Sequence, residues 1–249
     1  MFTVENVSKR YGKLTVLEPV SMSFAEATTT ILIGPSGCGK STLLRLLLGL
    51  ISPDIGHVQF EGRMVTSGSV EQIRREVGYM TQDGGLFPHL TAAQNVTLVP
   101  NYLGRSRAST TQRLRELADL VQLPSTLFDR FPSDLSGGQK QRLSLMRALI
   151  LDPKVLLLDE PLGALDPITR RELQTQLKDI FTRLKKSVIL VTHDMGEAAY
   201  FGDHIVLMRS GRVVQQGQLA DLVECPADPY VTEFINAQRA LEPTSRTAE

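Results

Sequence analysis

Disulfide chemistry is absent from this chain. Only two cysteines, Cys38 and Cys225, occur in 249 residues. That is too few for a cross-linked secreted scaffold and fits a reducing cytoplasm. Charge of one sign is also lacking: 27 basic and 27 acidic side chains cancel. The basic footprint of a nucleic-acid binder is missing, so no nucleic-acid partner is expected. No apolar stretch approaches the ~18 residues of a membrane span, and the longest are broken by Arg45 and Gly49. The opening Met1-Phe2-Thr3-Val4-Glu5 has no basic segment followed by an apolar one, so no signal peptide is expected. Internal repeats and low-complexity tracts are absent too. What remains is 42% hydrophobic and 22% charged, an ordinary globular balance. The length suits one large domain, or a core with an inserted subdomain.

Against this plain background one segment stands out. Gly34-Pro35-Ser36-Gly37-Cys38-Gly39-Lys40-Ser41-Thr42 follows the apolar run Thr30-Ile31-Leu32-Ile33 and leads into Leu43-Leu44-Arg45-Leu46-Leu47-Leu48. The order predicts a strand, a tight loop and a helix, with G-x-x-x-x-G-K-[ST] at the junction. Glycines let successive backbone N–H groups turn inward around phosphates, and a helix starting near Lys40 aims its positive end at the same place. Lys40 is expected to reach the β- and γ-phosphates and Ser41 to ligate Mg²⁺. The loop points to a nucleoside triphosphate and does not by itself reveal its use.

Pattern along the chain predicts strands at Phe2–Val7, Val20–Phe24 and Thr29–Ile33, with Gly12 and Pro19 as separating turns. A helix over Leu43–Leu50 stops at Ser52-Pro53-Asp54. His57–Phe60 and Val77–Met80 read as short strands. From about Thr91 to Asp152 the character turns helical, with Thr91 capping Ala92–Val99, then Arg113–Leu123 and Gly138–Ile150. Strand–helix alternation resumes with Val155–Leu158, a helix over Pro167–Leu184, and Val188–Val191. These apolar runs suit parallel strands buried on both faces. Ile205–Met208 and Arg212–Val214 flank a turn at Ser210-Gly211, and residues after Ala237 form a polar tail.

Two further segments carry chemistry. Val155-Leu156-Leu157-Leu158-Asp159-Glu160 is a buried strand ending in adjacent carboxylates, where ligands of open α/β sheets sit. Asp159 suits Mg²⁺, and Glu160 is the candidate base that orients or deprotonates water. Two solvated acids at a strand end are the plainer alternative. Leu135-Ser136-Gly137-Gly138-Gln139-Lys140-Gln141-Arg142 places a capping serine before two glycines, which leave the first N–H groups of a helix bare. That makes either a second anion site or an ordinary capped helix start.

Leu135-Ser136-Gly137-Gly138-Gln139 is the signature of the ATP-binding cassette family, which this chain resembles along nearly its whole length. The remaining motifs fall in order: Tyr11, Gln82, Gly163-Ala164-Leu165-Asp166 and His193. The resemblance implies an α/β phosphate-loop fold, a RecA-like mixed sheet with an N-terminal antiparallel β-subdomain and an inserted helical subdomain. Residues 1–82 and 153–237 would form the nucleotide-binding core, 83–152 the helical subdomain and 238–249 the tail. It implies that Tyr11 stacks on adenine, that Gly34 to Thr42 cradle the phosphates, and that Ser41, Gln82 and Asp159 surround Mg²⁺. Glu160, His193 and Lys40 would be catalytic, with Asp166 organising the opposite site.

In this family two copies form a head-to-tail dimer, so Ser136, Gly137, Gly138 and Gln139 of one copy complete the other's ATP site. Gln82 to Leu90 would receive a membrane permease through Leu86, Phe87 and Pro88, unless that cluster packs inside the helical subdomain. A solute-binding protein would act indirectly. Gly85 to Thr91, Glu160 to Pro167 and Val191 to Ala198 are similar to bacterial importers of quaternary amines such as glycine betaine and choline. The expected place is the cytoplasmic face of the inner membrane. The chain stops at Glu249, so the regulatory domains of many such ATPases are not expected. Another importer, an exporter or a non-transport cassette is the alternative; no fused membrane domain, second cassette or long coiled coil is evident.

Overall fold

A computed structural model describes residues 1–163 and 165–239. Ala164 and most of the expected tail, 240–249, lie outside the described residues. The chain opens with a hairpin of β1 (Phe2–Tyr11) and β2 (Leu14–Ser23). Pro19 does not separate two strands, as the sequence pattern suggested, but lies within β2. Register slips where Val7 faces Val20 and Lys9 faces Leu17, so three residues of β2 oppose two of β1. A bulge on an edge strand is where a residue without an N–H does no damage.

Strand β3 (Thr29–Ile33) runs into α1 (Lys40–Leu47), then come β4 (Ile55–Phe60), β5 (Arg63–Met64), α2 (Val70–Arg75) and β6 (Val77–Met80). Three helices follow: α3 (Ala92–Tyr102), α4 (Arg107–Leu120) and α5 (Gly137–Leu149). Helix α4 begins earlier than its apolar spacing suggested, because Ser106 caps it by accepting from the N–H of Ser109. The chain closes with β7 (Val155–Asp159), α6 (Pro167–Leu184), β8 (Ser187–Thr192), α7 (Met195–Phe201), β9 (His204–Arg209), β10 (Arg212–Gly217), α8 (Leu219–Glu224) and α9 (Pro229–Arg239).

An antiparallel sheet has order β2-β1-β4-β5, and a six-stranded sheet has order β10-β9-β3-β8-β7-β6. The second is parallel except for the β9–β10 hairpin. Its central strands alternate between two cores. Ile31, Ile33, Leu156, Leu158, Leu190, Ile205 and Leu207 face the helical side, sharing one cluster with Val96, Leu114, Leu143 and Leu173. Leu32, Leu157, Ile189, Val191, Val206 and Met208 face the other side, with α1 and the antiparallel sheet's Phe2, Val4 and Phe60. Burial on both faces explains why these strands are apolar throughout.

The register decides the site. Ile33 pairs with Thr192, Asp159 with Val191 and Met80 with Leu158. Gly34, His193 and Glu160 come just past these ends, with Gln82 two residues beyond Met80, and they emerge along one carboxyl edge.

Candidate nucleotide site

The loop from Gly34 to Gly39 is shaped by close backbone approach. Gly34 and Gly39 have φ of 150° and 108°. A Cβ on Gly34 would strike the carbonyl of Met208, and one on Gly39 the carbonyl of Val16. Only glycine fits, as the sequence spacing anticipated. Lys40 opens α1 and is 5% exposed, its Nζ donating to the carbonyls of Gly34 at 2.7 Å and Pro35 at 3.0 Å. Burial raises the Cys38 thiol, and the Lys40 ammonium only partly offsets this, so Cys38 is a filler of the loop.

Ser41 Oγ donates to Asp159 Oδ1 at 3.0 Å, joining loop and strand end. Burial pushes the Asp159 carboxyl above its ordinary range despite that bond, and the neighbouring Glu160 adds to the rise. Two hard oxygens side by side, one a buried carboxylate short of positive charge, fit a Mg²⁺ ion.

Glu160 holds a left-handed backbone, φ 47°, rare for a residue with a side chain. Its N–H donates to Val191 O and its carbonyl accepts from Gly163, so a tight turn ends β7 at once. The outcome is that Glu160 Oε2 lies 3.2 Å from Gln82 Nε2 and 3.2 Å from His193 Nδ1. Such a backbone persists only where the surrounding structure over-determines it.

The signature segment does not join this cluster. Ser136 caps α5 in a capping box: its Oγ accepts from Gln139 N–H, and its own N–H donates to Gln139 Oε1. The N–H groups of Gly137 and Gly138 lie in the first turn of α5, where no helix carbonyl precedes them to accept. Gly138 is pressed against Thr169, with no space for a Cβ. Among the described residues no hydrogen bond links this segment to the phosphate loop. Asp166 caps α6 through the N–H groups of Ile168 and Thr169, and bonding to Thr169 holds its carboxyl low. Tyr11, half-exposed at the end of β1, lies under Lys9 Nζ at 5.7 Å, and Asp54 fastens that end by accepting from Lys9 and Arg10 N–H.

Sequence reasoning missed what supports the segment after Gln82. Arg147 of α5 donates to the carbonyls of Gly84 and Gly85, and Ser144 to Gly84. Asn95 is fully buried, accepts from Phe87 N–H, and donates to the carbonyls of Phe87, Leu90 and Thr91. Its one sequence signal was a polar residue on the apolar face shared with Ala92 and Val96. Leu86 packs against the core, whereas Phe87 is 42% exposed and Pro88 is exposed. The apolar cluster expected to face outward therefore divides, with Leu86 as anchor and Phe87-Pro88 as surface.

Fold and site together define a phosphate-loop ATPase cassette with an antiparallel β-subdomain and helices between β6 and β7. A family model described as ABC transporter matches residues 17–163. The chain is 42% identical over 250 residues to the choline transport ATP-binding protein OpuBA of Bacillus subtilis, covering 100% of this chain and 66% of that protein. It is 43% identical over 235 residues to the glycine betaine uptake system ATP-binding protein YehX of Escherichia coli, covering 94% and 76%. A dimeric post-hydrolysis structure of the ATP-binding cassette MJ0796, bound to ADP and Pi, superposes with a TM-score of 0.80 at 31% identity, covering 88% of this chain and 99% of that one. This chain belongs to the ABC transporter family. It spans just under two thirds, 64–66%, of the length of the first curated relatives it matches.

Proposed function

We propose that the chain is the ATP-hydrolysing subunit of a bacterial importer, working as a head-to-tail dimer. The observation that carries this is the single edge where Lys40, the Ser41–Asp159 pair, Glu160, His193 and Gln82 converge. Glu160 is placed to take a proton from water, and His193 to hold the γ-phosphate side of the reaction. Lys40 and the loop N–H groups hold the phosphates, while Tyr11 offers a ring face to adenine. Ser41 and Asp159, with Gln82 behind, would hold Mg²⁺, which neutralises phosphate charge when bound. The first-turn N–H groups at Gly137 and Gly138 make no hydrogen bond to the phosphate loop of their own chain among the described residues, which supports completion of the site by the signature segment of the partner subunit. ATP then bridges the dimer, and hydrolysis releases it. Replacing Glu160 with Gln keeps the shape and removes the base. The variant is expected to bind ATP, nearly lose turnover, and accumulate as a dimer by light scattering with ATP and Mg²⁺. Wild-type turnover would sink Glu160 as the base.

A permease at the cytoplasmic face of the inner membrane is proposed to dock on Gln82–Leu90, with Phe87-Pro88 the exposed apolar part. Quaternary amines such as choline and glycine betaine are the proposed cargo, supported by what OpuBA and YehX are named for and by the importer-like phrases of the sequence. A strain deleted for the chain should lose choline or betaine uptake and keep sulfate uptake. The reverse pattern would contradict this cargo.

A further inference from the structure

Glu197 is 5% exposed, and nothing in the proposed chemistry uses it. It sits in the first turn of α7, just past the segment that carries His193. Its Oε2 accepts from Thr192 Oγ1 at 2.6 Å. The same hydroxyl accepts from Asp194 N–H at 3.1 Å, and Asp194 Oδ1 accepts from Glu197 N–H at 3.1 Å. Thr192, Asp194 and Glu197 thus close a ring of hydrogen bonds that bridges across His193, two of its links donated by backbone N–H groups.

His193 itself has little else to fix it. Its side chain is 55% exposed, and its one close polar side-chain partner among the described residues is Glu160. A half-exposed imidazole can point correctly only if its α-carbon is fixed from behind. Thr192, 2% exposed, is the last residue of β8, and Asp194 caps α7, so the ring ties the strand end to the helix start across one residue. Around Glu197 the charged groups are Asp194, His193 and, from α6, Arg170, whose Nε is buried without a partner among the described residues.

We infer that Glu197 is a positioning residue for the reaction, holding His193 against Glu160 through Thr192 and Asp194. This rests on His193 taking part in hydrolysis, as proposed above. Among the described residues Glu197 bonds to Thr192 and Asp194 and not to the phosphate loop, Ser41 or Asp159, so its loss should slow turnover and leave ATP affinity alone.

The test is a kinetic cycle on the purified chain with ATP and Mg²⁺. Glu197→Ala should lower kcat roughly ten- to a hundredfold with KM for ATP unchanged, because a small misplacement of a catalytic group is costly. Glu197→Gln, which keeps an acceptor for Thr192, should recover most of the rate. Thr192→Val removes the hydroxyl at nearly constant shape and should copy Glu197→Ala, which keeps the idea testable should that variant fail to fold. In a His193→Ala background, either substitution should change the residual rate less than about twofold, since coupled residues are not additive. If the losses multiply in that background, or if KM rises while kcat holds, Glu197 is a structural acid and the inference falls. If His193→Ala itself keeps full kcat, the role of His193 falls first and this inference with it.

Discussion

Single residues at the edge of the parallel sheet trade stability for chemistry. Burial lifts Asp159 above its ordinary range, so ionising it costs more in the folded state than in the unfolded chain. The penalty for ionising it is absent below the unfolded value of about 3.9 and grows as pH rises through the folded value. Asp159→Asn keeps an acceptor for Ser41 and removes that penalty. Without nucleotide, the variant should melt above wild type near about pH 7.5 and converge with it near about pH 4, while Mg²⁺-dependent turnover is lost. A variant less stable than wild type at neutral pH would contradict the electrostatic reading. The residues expected to touch ATP were legible because loop glycines, a lysine and strand-end acids announce themselves by spacing. Asn95, Arg147 and Glu197 were not. Arg147 reaches carbonyls 62 and 63 residues away, while Asn95 and Glu197 bond within eight residues, yet in each case a buried polar side chain reads like a surface one until the fold shuts out water.

Elements were legible in proportion to how completely they are buried or how clearly they are capped. Thr29–Ile33, Val77–Met80 and Pro167–Leu184 match their sequence reading because apolar runs or a capping Asp-Pro pair bound them. The short helices α2, α7 and α8 carry too few turns for their spacing to show, and Pro19 was misread because an edge bulge is invisible in sequence. The segment after Gln82 holds the sharpest element-scale contrast. Phe87→Asp changes a half-exposed ring and should shift stability by no more than about 0.5 kcal/mol, under roughly 2 °C in Tm. Asn95→Ala strips partners from the backbone of Phe87, Leu90 and Thr91 in a fully buried position. It should cost about 2–4 kcal/mol and lower Tm by roughly 5–15 °C. Thermal denaturation of the two variants decides the matter. A large loss in Phe87→Asp would return Phe87 to the interior and remove it from the proposed docking surface.

At the scale of the whole molecule, one chain carries two anion-seeking helix starts, at Lys40 and at Ser136, with no hydrogen bond between them among the described residues. A composite site of this kind requires two copies, each lending its signature segment to the other. Trans-complementation tests this most directly. Lys40→Ala removes a charge-assisted phosphate contact worth roughly 1.5–3 kcal/mol, and Ser136→Arg blocks the signature helix start. Each homodimer should be inactive. Mixed, the heterodimer gathers both defects at one interface and leaves the other intact, so ATPase activity should return in part. If heterodimers form, as shown by co-elution of differently tagged subunits, and mixing restores no hydrolysis, the head-to-tail composite site is contradicted.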